Sequence, residues 1–201
     1  MDFLDFAHTC GPLVDPVTTT AIVRTESSFN PLVVRDNTAK VTFSPRNRQQ
    51  AEALIATQLA AGHRLAIGLM QITIPWTTRL KLRPQALLDA CTNITVGTSI
   101  LAANYRECSV PGQPPESALV CALSAYWSGN GRAGGVYVNR VFKMAGSPLR
   151  VAESPGVTDG ILESDVKTPT VPAFQQFQYK TQTFSYSEVA APDFDFPRGR
   201  F

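Results

Sequence analysis

The hydrophobic and polar pattern of residues 15–148 is mostly helical. Asp15-Pro16 offers an N-cap followed by proline at the first helical position. Val17, Ala21 and Ile22 continue that helix, which should end before Pro31 because the residue preceding a proline avoids helical backbone. The stretch "LVVRDNTAKVTF", residues 32–43, is β-branched on both sides of Asp36-Asn37 and reads as a short hairpin. Ser44-Pro45 opens a second helix with Ala51, Leu54, Ile55 and Leu59 on one face and Gly62 as its C-cap. "HRLAIGLMQIT" is a compact apolar segment interrupted by Gly68. A helix from about Thr92 to Cys108 turns Ile94, Gly97, Ile100, Leu101 and Tyr105 inward. Pro114-Pro115 starts the next, carrying Leu119, Val120, Leu123 and Tyr126. The glycine-rich loop "SGNGRAGG" and a short helix "VYVNRVFKMAG", closed by Gly146, complete the body.

Beyond Pro148 no helical period persists. Residues 149–201 carry many Pro, Ser, Thr and acidic residues with scattered aromatics such as Phe174, Phe177, Tyr179, Phe184 and Tyr186. They read as a flexible tail or partner-binding segment. The expected organisation is a mainly α domain with a small β-hairpin over residues 1–148, followed by an irregular tail over 149–201.

Composition adds boundaries. With 44% hydrophobic and 17% charged residues, the 201-residue chain can bury a core. A net charge of +2 gives no case for nucleic acid as the main partner. Residues 1–150 hold 14 basic and 9 acidic side chains, however, so the body is mildly basic and suited to an anionic polymer. No stretch approaches the roughly 20 apolar residues of a membrane span. "MDFLDFAHTC" lacks a basic n-region and does not read as a signal peptide. The four cysteines, Cys10, Cys91, Cys108 and Cys121, allow three disulfide pairings, or four reduced thiols. Cys108 with Cys121 is favoured because the two bracket a Pro-rich turn between helices, leaving Cys10 with Cys91. No CxxC pair occurs and only His8 and His63 could join the cysteines at a metal, so zinc is not expected.

The chemistry concentrates in three segments. "TESSFNP" places Glu26 near a helix C-terminus, where the dipole disfavours an ionised carboxylate. "IGLMQIT" follows, then "ALSAYWSGNG" with "GGVYVNRV". Their order and their separations, about 40 and then 55 residues, resemble the lytic transglycosylases of the lysozyme-like superfamily, in particular the small ones that accompany type IV secretion and conjugation machines. The resemblance covers roughly residues 5–145. It implies a lysozyme-like helical fold, Glu26 as the catalytic acid, and Ser27 as a helper hydrogen-bonding the sugar or Glu26. It further implies a cleft wall from Gly68 to Gln71, with Gly68 allowing close approach, Met70 packing on the sugar and Gln71 offering hydrogen bonds. Tyr126 is implied as the hydroxyl facing the carboxyl and Tyr137 as a second cleft aromatic. Where the family usually has Asn after Ala-Tyr, this chain has Trp127, an indole able to stack on a sugar.

The resemblance implies cleavage of the MurNAc–GlcNAc β-1,4 bond in peptidoglycan with a 1,6-anhydro product. It implies no cofactor or metal, a site of action in the periplasm or cell envelope, and partners among type IV secretion components through the tail. Most glycosidases need two carboxylates, and here no second acid stands out. Asp36 is the nearest, in the expected hairpin turn. The competing expectations are a lysozyme-type hydrolase and a non-catalytic glycan-binding assembly factor.

Overall fold

The computed structural model describes residues 2–146, and the expected tail from residue 149 lies outside them. In chain order the elements are α1 (Phe3–Cys10), α2 (Pro16–Ser27), β1 (Val34–Asp36), β2 (Val41–Phe43), α3 (Arg48–Ala60), β3 (Leu65–Ile67), β4 (Ile72–Thr73), α4 (Ile74–Arg79), a 3-10 turn (Pro84–Leu88), α5 (Ala90–Cys108), α6 (Pro115–Ser128) and α7 (Gly135–Met144). The described domain is mainly α with one small antiparallel sheet, in line with the sequence pattern.

Helix starts follow side-chain capping. The Asp15 carboxylate accepts the Val17 N–H at 2.8 Å with Pro16 at N1, as expected. The second helix opens later than Ser44-Pro45 suggested. Asn47 caps it by accepting the Gln50 N–H at 2.9 Å, and the Gln50 side chain accepts the Arg46 N–H in return. α1, which the sequence pattern did not single out, is capped by Asp2 and docks on α5. Gly11 approaches Thr98 and Ile94 so closely that a Cβ would lie 2.6 Å from a Thr98 methyl.

The sheet is larger than the expected hairpin. Its strand order is β2-β1-β3-β4, all antiparallel, with Val34 opposite both Phe43 and Ile67. The segment "HRLAIGLMQIT" supplies the second hairpin. Leu65, Ala66 and Ile67 are all buried, so this strand has no polar-apolar alternation by which a sequence pattern could identify it.

The core gathers buried side chains from α2, the sheet, α5, α6 and α7, and a buried asparagine joins the sheet to α5. Asn93 accepts the Met70 N–H at 2.8 Å and donates to the Ile67 and Leu87 carbonyls at 2.8 and 2.9 Å. It thereby fixes the turn 68–71 between β3 and β4. Two glycines make room for this junction. Gly68 has φ +80°, and a Cβ there would lie 2.2 Å from the Asn93 amide and 2.5 Å from the Leu87 carbonyl. Gly97 accepts the Met70 side chain, whose Sδ would lie 2.4 Å from an added Cβ. Gly68→Ala combines left-handed strain with overpacking. It is expected to lower stability by about 2–4 kcal/mol in urea unfolding; an unchanged midpoint would mean that the turn relaxes freely.

Both favoured disulfides form. Cys10–Cys91 ties α1 to the first turn of α5, and Cys108–Cys121 ties the end of α5 to α6.

Candidate active site

Glu26 occupies the last turn of α2, one residue before the helix ends at Ser27. Ser28 and Phe29 both take left-handed backbone, φ 50° and 66°, and together turn the chain sharply away. Non-glycine residues hold that conformation at a cost of about 1–3 kcal/mol each, so the surrounding structure must impose it. Asn30 completes the turn by accepting the Leu32 N–H at 2.9 Å. The helix therefore does not run on past Ser27.

Burial raises the Glu26 pKa above its ordinary value. The Tyr137 hydroxyl opposes this most, followed by the charges of Arg140 and Arg35, and the net direction remains upward. The Tyr137 hydroxyl is itself buried and makes no hydrogen bond of ordinary geometry among the described residues. Its stabilisation of the carboxylate thus acts outside ordinary hydrogen-bond geometry. Burial and the Glu26 charge push both Tyr126 and Tyr137 well above the usual phenol range, so each is a proton donor at neutral pH.

Several expected site residues converge here. Tyr126, in the last turn of α6, donates to the Met70 carbonyl at 2.7 Å. Trp127, beside it, is 58% exposed and stacks on Tyr137 with ring centroids 6.0 Å apart and planes 16° apart. Gly134 packs beneath that indole. The Gln71 amide donates to the Gly68 and Val33 carbonyls, at 2.9 and 3.3 Å, and remains partly exposed.

Other expected roles meet different surroundings. The Met70 side chain is fully buried and fills the notch at Gly97, and its backbone N–H and carbonyl are taken by Asn93 and Tyr126. The close approach at Gly68 is to Asn93 and Leu87. The Ser27 hydroxyl is buried and donates to the Val23 carbonyl one turn back. Tyr126 was expected as the hydroxyl facing the carboxyl; its hydroxyl donates to the Met70 carbonyl, the Glu26 charge acts on it as on Tyr137, and of the two phenols Tyr137 lowers the Glu26 pKa.

Asp36 is fully used by the fold. It is buried at the end of β1, accepts the Thr38 and Ala39 N–H groups at 2.8 and 2.9 Å, and pairs with His63. Burial raises its pKa, but the Ala39 N–H, the His63 bond and the Thr38 N–H together outweigh this and hold the carboxyl below its usual range. The charges acting on Glu26 are arginines, with no carboxylate among them. No group of three or more His, Cys, Asp or Glu is placed to hold a metal ion among the described residues. No helix among them is long and apolar enough to cross a membrane.

Sequence reasoning missed Asn93, Arg35 and Arg140. Asn93 left one signal, an amide just before the inward face of an otherwise apolar helix. Arg140 left another, its position three residues after Tyr137 on one helix face. A surface cavity of about 400 Å³ lined by Arg48, Glu52, Arg83, Gln85 and Ala86 shares no residue with this cluster. There Arg48 is already paired with Glu52 at 2.8 Å and donates to the Gln85 carbonyl, which makes it a junction of α3 with the 3-10 turn.

Comparison with known proteins gives the same direction. The chain is 37% identical over 143 residues to protein virB1 of Agrobacterium fabrum, covering 70% of this chain and 58% of that protein. It is 35% identical over 161 residues to protein virB1 of Rhizobium radiobacter, covering 79% and 66%. It is 32% identical over 130 residues to the type IV secretion system protein virB1 of Brucella abortus, covering 64% and 54%. The chain thus spans little more than half the length of the Agrobacterium fabrum and Brucella relatives. No solved structure matches it significantly. Residues 5–142 match the model of the transglycosylase SLT domain, and the chain belongs to that family.

Proposed function

We propose that the chain is a peptidoglycan lytic transglycosylase that cleaves the β-1,4 bond between N-acetylmuramic acid and N-acetylglucosamine, with Glu26 as its single catalytic carboxyl. The observation that carries this reading is a partly buried carboxyl of raised pKa at a helix end, acted on by a phenol and two arginines and, among the described residues, by no second carboxylate. Glu26, protonated, gives its proton to the glycosidic oxygen as the C1–O bond breaks. The substrate's N-acetyl oxygen bonds to C1 in its place. Glu26, now a carboxylate, takes the proton of the muramic 6-hydroxyl, O6 displaces the N-acetyl oxygen at C1, and the acid is restored. One group acts first as acid and then as base, and no water enters.

Tyr137 stabilises the carboxylate between the two steps. Trp127, backed by Tyr137, offers a sugar-stacking face, and the partly exposed Gln71 offers an amide for hydrogen bonding, held in place by the buried turn 68–70. Ser27 supports the geometry through its bond within α2. Two disulfides accord with an oxidising compartment, the periplasm or cell envelope. From the names of the relatives we extend the reading to local opening of the wall for a type IV secretion machine, with contacts to its components through residues 149–201.

Digestion of purified peptidoglycan with product masses read by mass spectrometry is the direct test. Anhydro-muropeptides are expected. Products heavier by one water would make the chain a lysozyme-type hydrolase. Glycan binding without any product would make it a non-catalytic module.

A further inference from the structure

The cavity between α3 and the 3-10 turn has no part in the reaction proposed above. It encloses about 400 Å³ and is lined by Arg48, Glu52, Arg83, Gln85 and Ala86. Sites for small ligands typically enclose about 300–1,000 Å³. Both walls are fixed from behind. α3 buries Ala51 and Ile55, and the 3-10 turn buries Leu87 and Leu88. The Asn93 amide holds the Leu87 carbonyl at 2.9 Å, and Arg48 donates through Nη2 to the Gln85 carbonyl at 3.4 Å across the gap. The space is therefore shaped by the fold itself, and a ligand entering it has little ordering left to impose.

The charges within it do not balance. Glu52 is the one carboxylate in the lining, and Arg48 pairs with it through Nε at 2.8 Å. Arg83, exposed just before the 3-10 turn, makes no side-chain hydrogen bond or ion pair among the described residues. The Gln85 side-chain amide is likewise without a partner among them. One positive charge is thus in surplus. A free guanidinium presents a fork of donors that matches a carboxylate. The amide beside it can both donate to and accept from a peptide bond, and Ala86 adds a small apolar surface. A bare inorganic anion has no use for an amide acceptor, so the lining suits a peptidic carboxylate better.

We propose that this cavity binds a carboxylate of an acidic peptide. Arg83 is its anchor, and Gln85 meets the adjoining peptide bond. Arg48 holds the cavity in shape and keeps Glu52 from competing for Arg83. The cavity shares no residue with the Glu26 cluster, so the domain can hold a peptide and a glycan at once. The inference stands independently of the reaction. Two sources carry the chemistry: an Asp or Glu side chain, and the free carboxyl end of a chain.

Titration of the isotope-labelled full chain, read by amide chemical shifts, is the test. The probes are acetyl-Ala-Glu-Ala-amide, acetyl-Ala-Ala with a free carboxyl end, the neutral acetyl-Ala-Gln-Ala-amide, and inorganic phosphate. At least one acidic peptide is expected to shift the Gln85 side-chain amide and the Ala86 N–H, binding about 10-fold more tightly than the neutral one and less tightly as salt rises. Arg83→Gln should weaken that binding about 10-fold with an unchanged urea midpoint, because Arg83 bonds nothing else among the described residues. Arg83→Lys should retain part of it as a point charge without the fork. Arg48→Gln should lose binding and stability together, since it also releases Glu52 and the Gln85 carbonyl. Tighter binding of the glutamyl peptide assigns side-chain carboxylates, tighter binding of the free end assigns a chain terminus, and equal binding means that the carboxylate alone is read. Phosphate bound as tightly as either peptide would overturn the proposal. So would shifts unaffected by Arg83→Gln, or none at Gln85 and Ala86 with about 10 mM of either peptide. Glu26→Gln should leave the titration unchanged, so failure of the transglycosylase reading and failure of this one are told apart.

Discussion

Glu26→Gln is expected to reduce release of anhydro-muropeptides by about a thousandfold, the scale on which a positioned acid-base group contributes. The variant keeps the size and part of the hydrogen bonding of the side chain but has no proton to give. Its second consequence runs the other way. The wild-type carboxyl has a folded pKa above its unfolded value of 4.5. The folded state therefore holds the proton more tightly, and the stability this contributes is fully present below that unfolded value and lost as pH rises through the folded one. At neutral pH, above that unfolded value, the buried carboxyl therefore costs the fold stability. Glu26→Gln should thus unfold at a higher temperature than the wild type at pH 7, with the gain disappearing on acidification below about 4.5. Wild-type activity should fall as pH rises above the raised pKa, because the protonated form is the acid. A variant that lost stability together with activity would assign Glu26 to the fold and not to the chemistry.

Cys10→Ser/Cys91→Ser is expected to cost about 4.5 kcal/mol, and Cys108→Ser/Cys121→Ser about 3 kcal/mol. The difference follows from the chain each bridge closes, with sequence separations of 81 and 13. The longer loop removes more freedom from the unfolded chain. The first loss takes a large part of the 5–15 kcal/mol that typical domains possess. Urea titration of the two double variants beside the wild type checks both size and order. Equal shifts would mean that local packing at each bridge, and not chain entropy, sets its worth. Gly11 against Thr98, and the Thr95 hydroxyl bonded to the Cys10 carbonyl at 2.7 Å, keep α1 beside α5 when the bridge is removed. The folded state should therefore remain recognisable in circular dichroism.

What was legible in the sequence was local. The Asp15-Pro16 cap, the stop at Asn30-Pro31 and the proline-started α6 are written within a few residues, and each lies where its motif indicated. Cys108 and Cys121 were readable as a pair because one turn joins their helices. β3 was not readable as a strand, because its burial on both faces removes the alternation that marks one. α1 is eight residues long and depends on tertiary docking and a distant cysteine. The candidate site divides the same way. Glu26 was visible at its helix end, whereas the direction of the Met70 side chain depends on a notch at Gly97, and no local pattern links the two. Arg35 and Arg140 are 105 positions apart in the chain. Nothing short of the fold connects either of them with Glu26.

The bond from the Tyr126 hydroxyl to the Met70 carbonyl joins the β3–β4 turn to α6 beside Glu26. Many cleft enzymes swing two lobes apart to admit a polymer and together again to react, on microsecond to millisecond timescales. Here such a swing would break this bond and draw the Met70 side chain out of its notch. Adjustment to a strand instead falls to surface groups, Trp127 first, whose reorientation takes picoseconds to nanoseconds. On the proposed function, turnover is then expected to be paced by bond cleavage or by departure of the strand, and not by a closing gate.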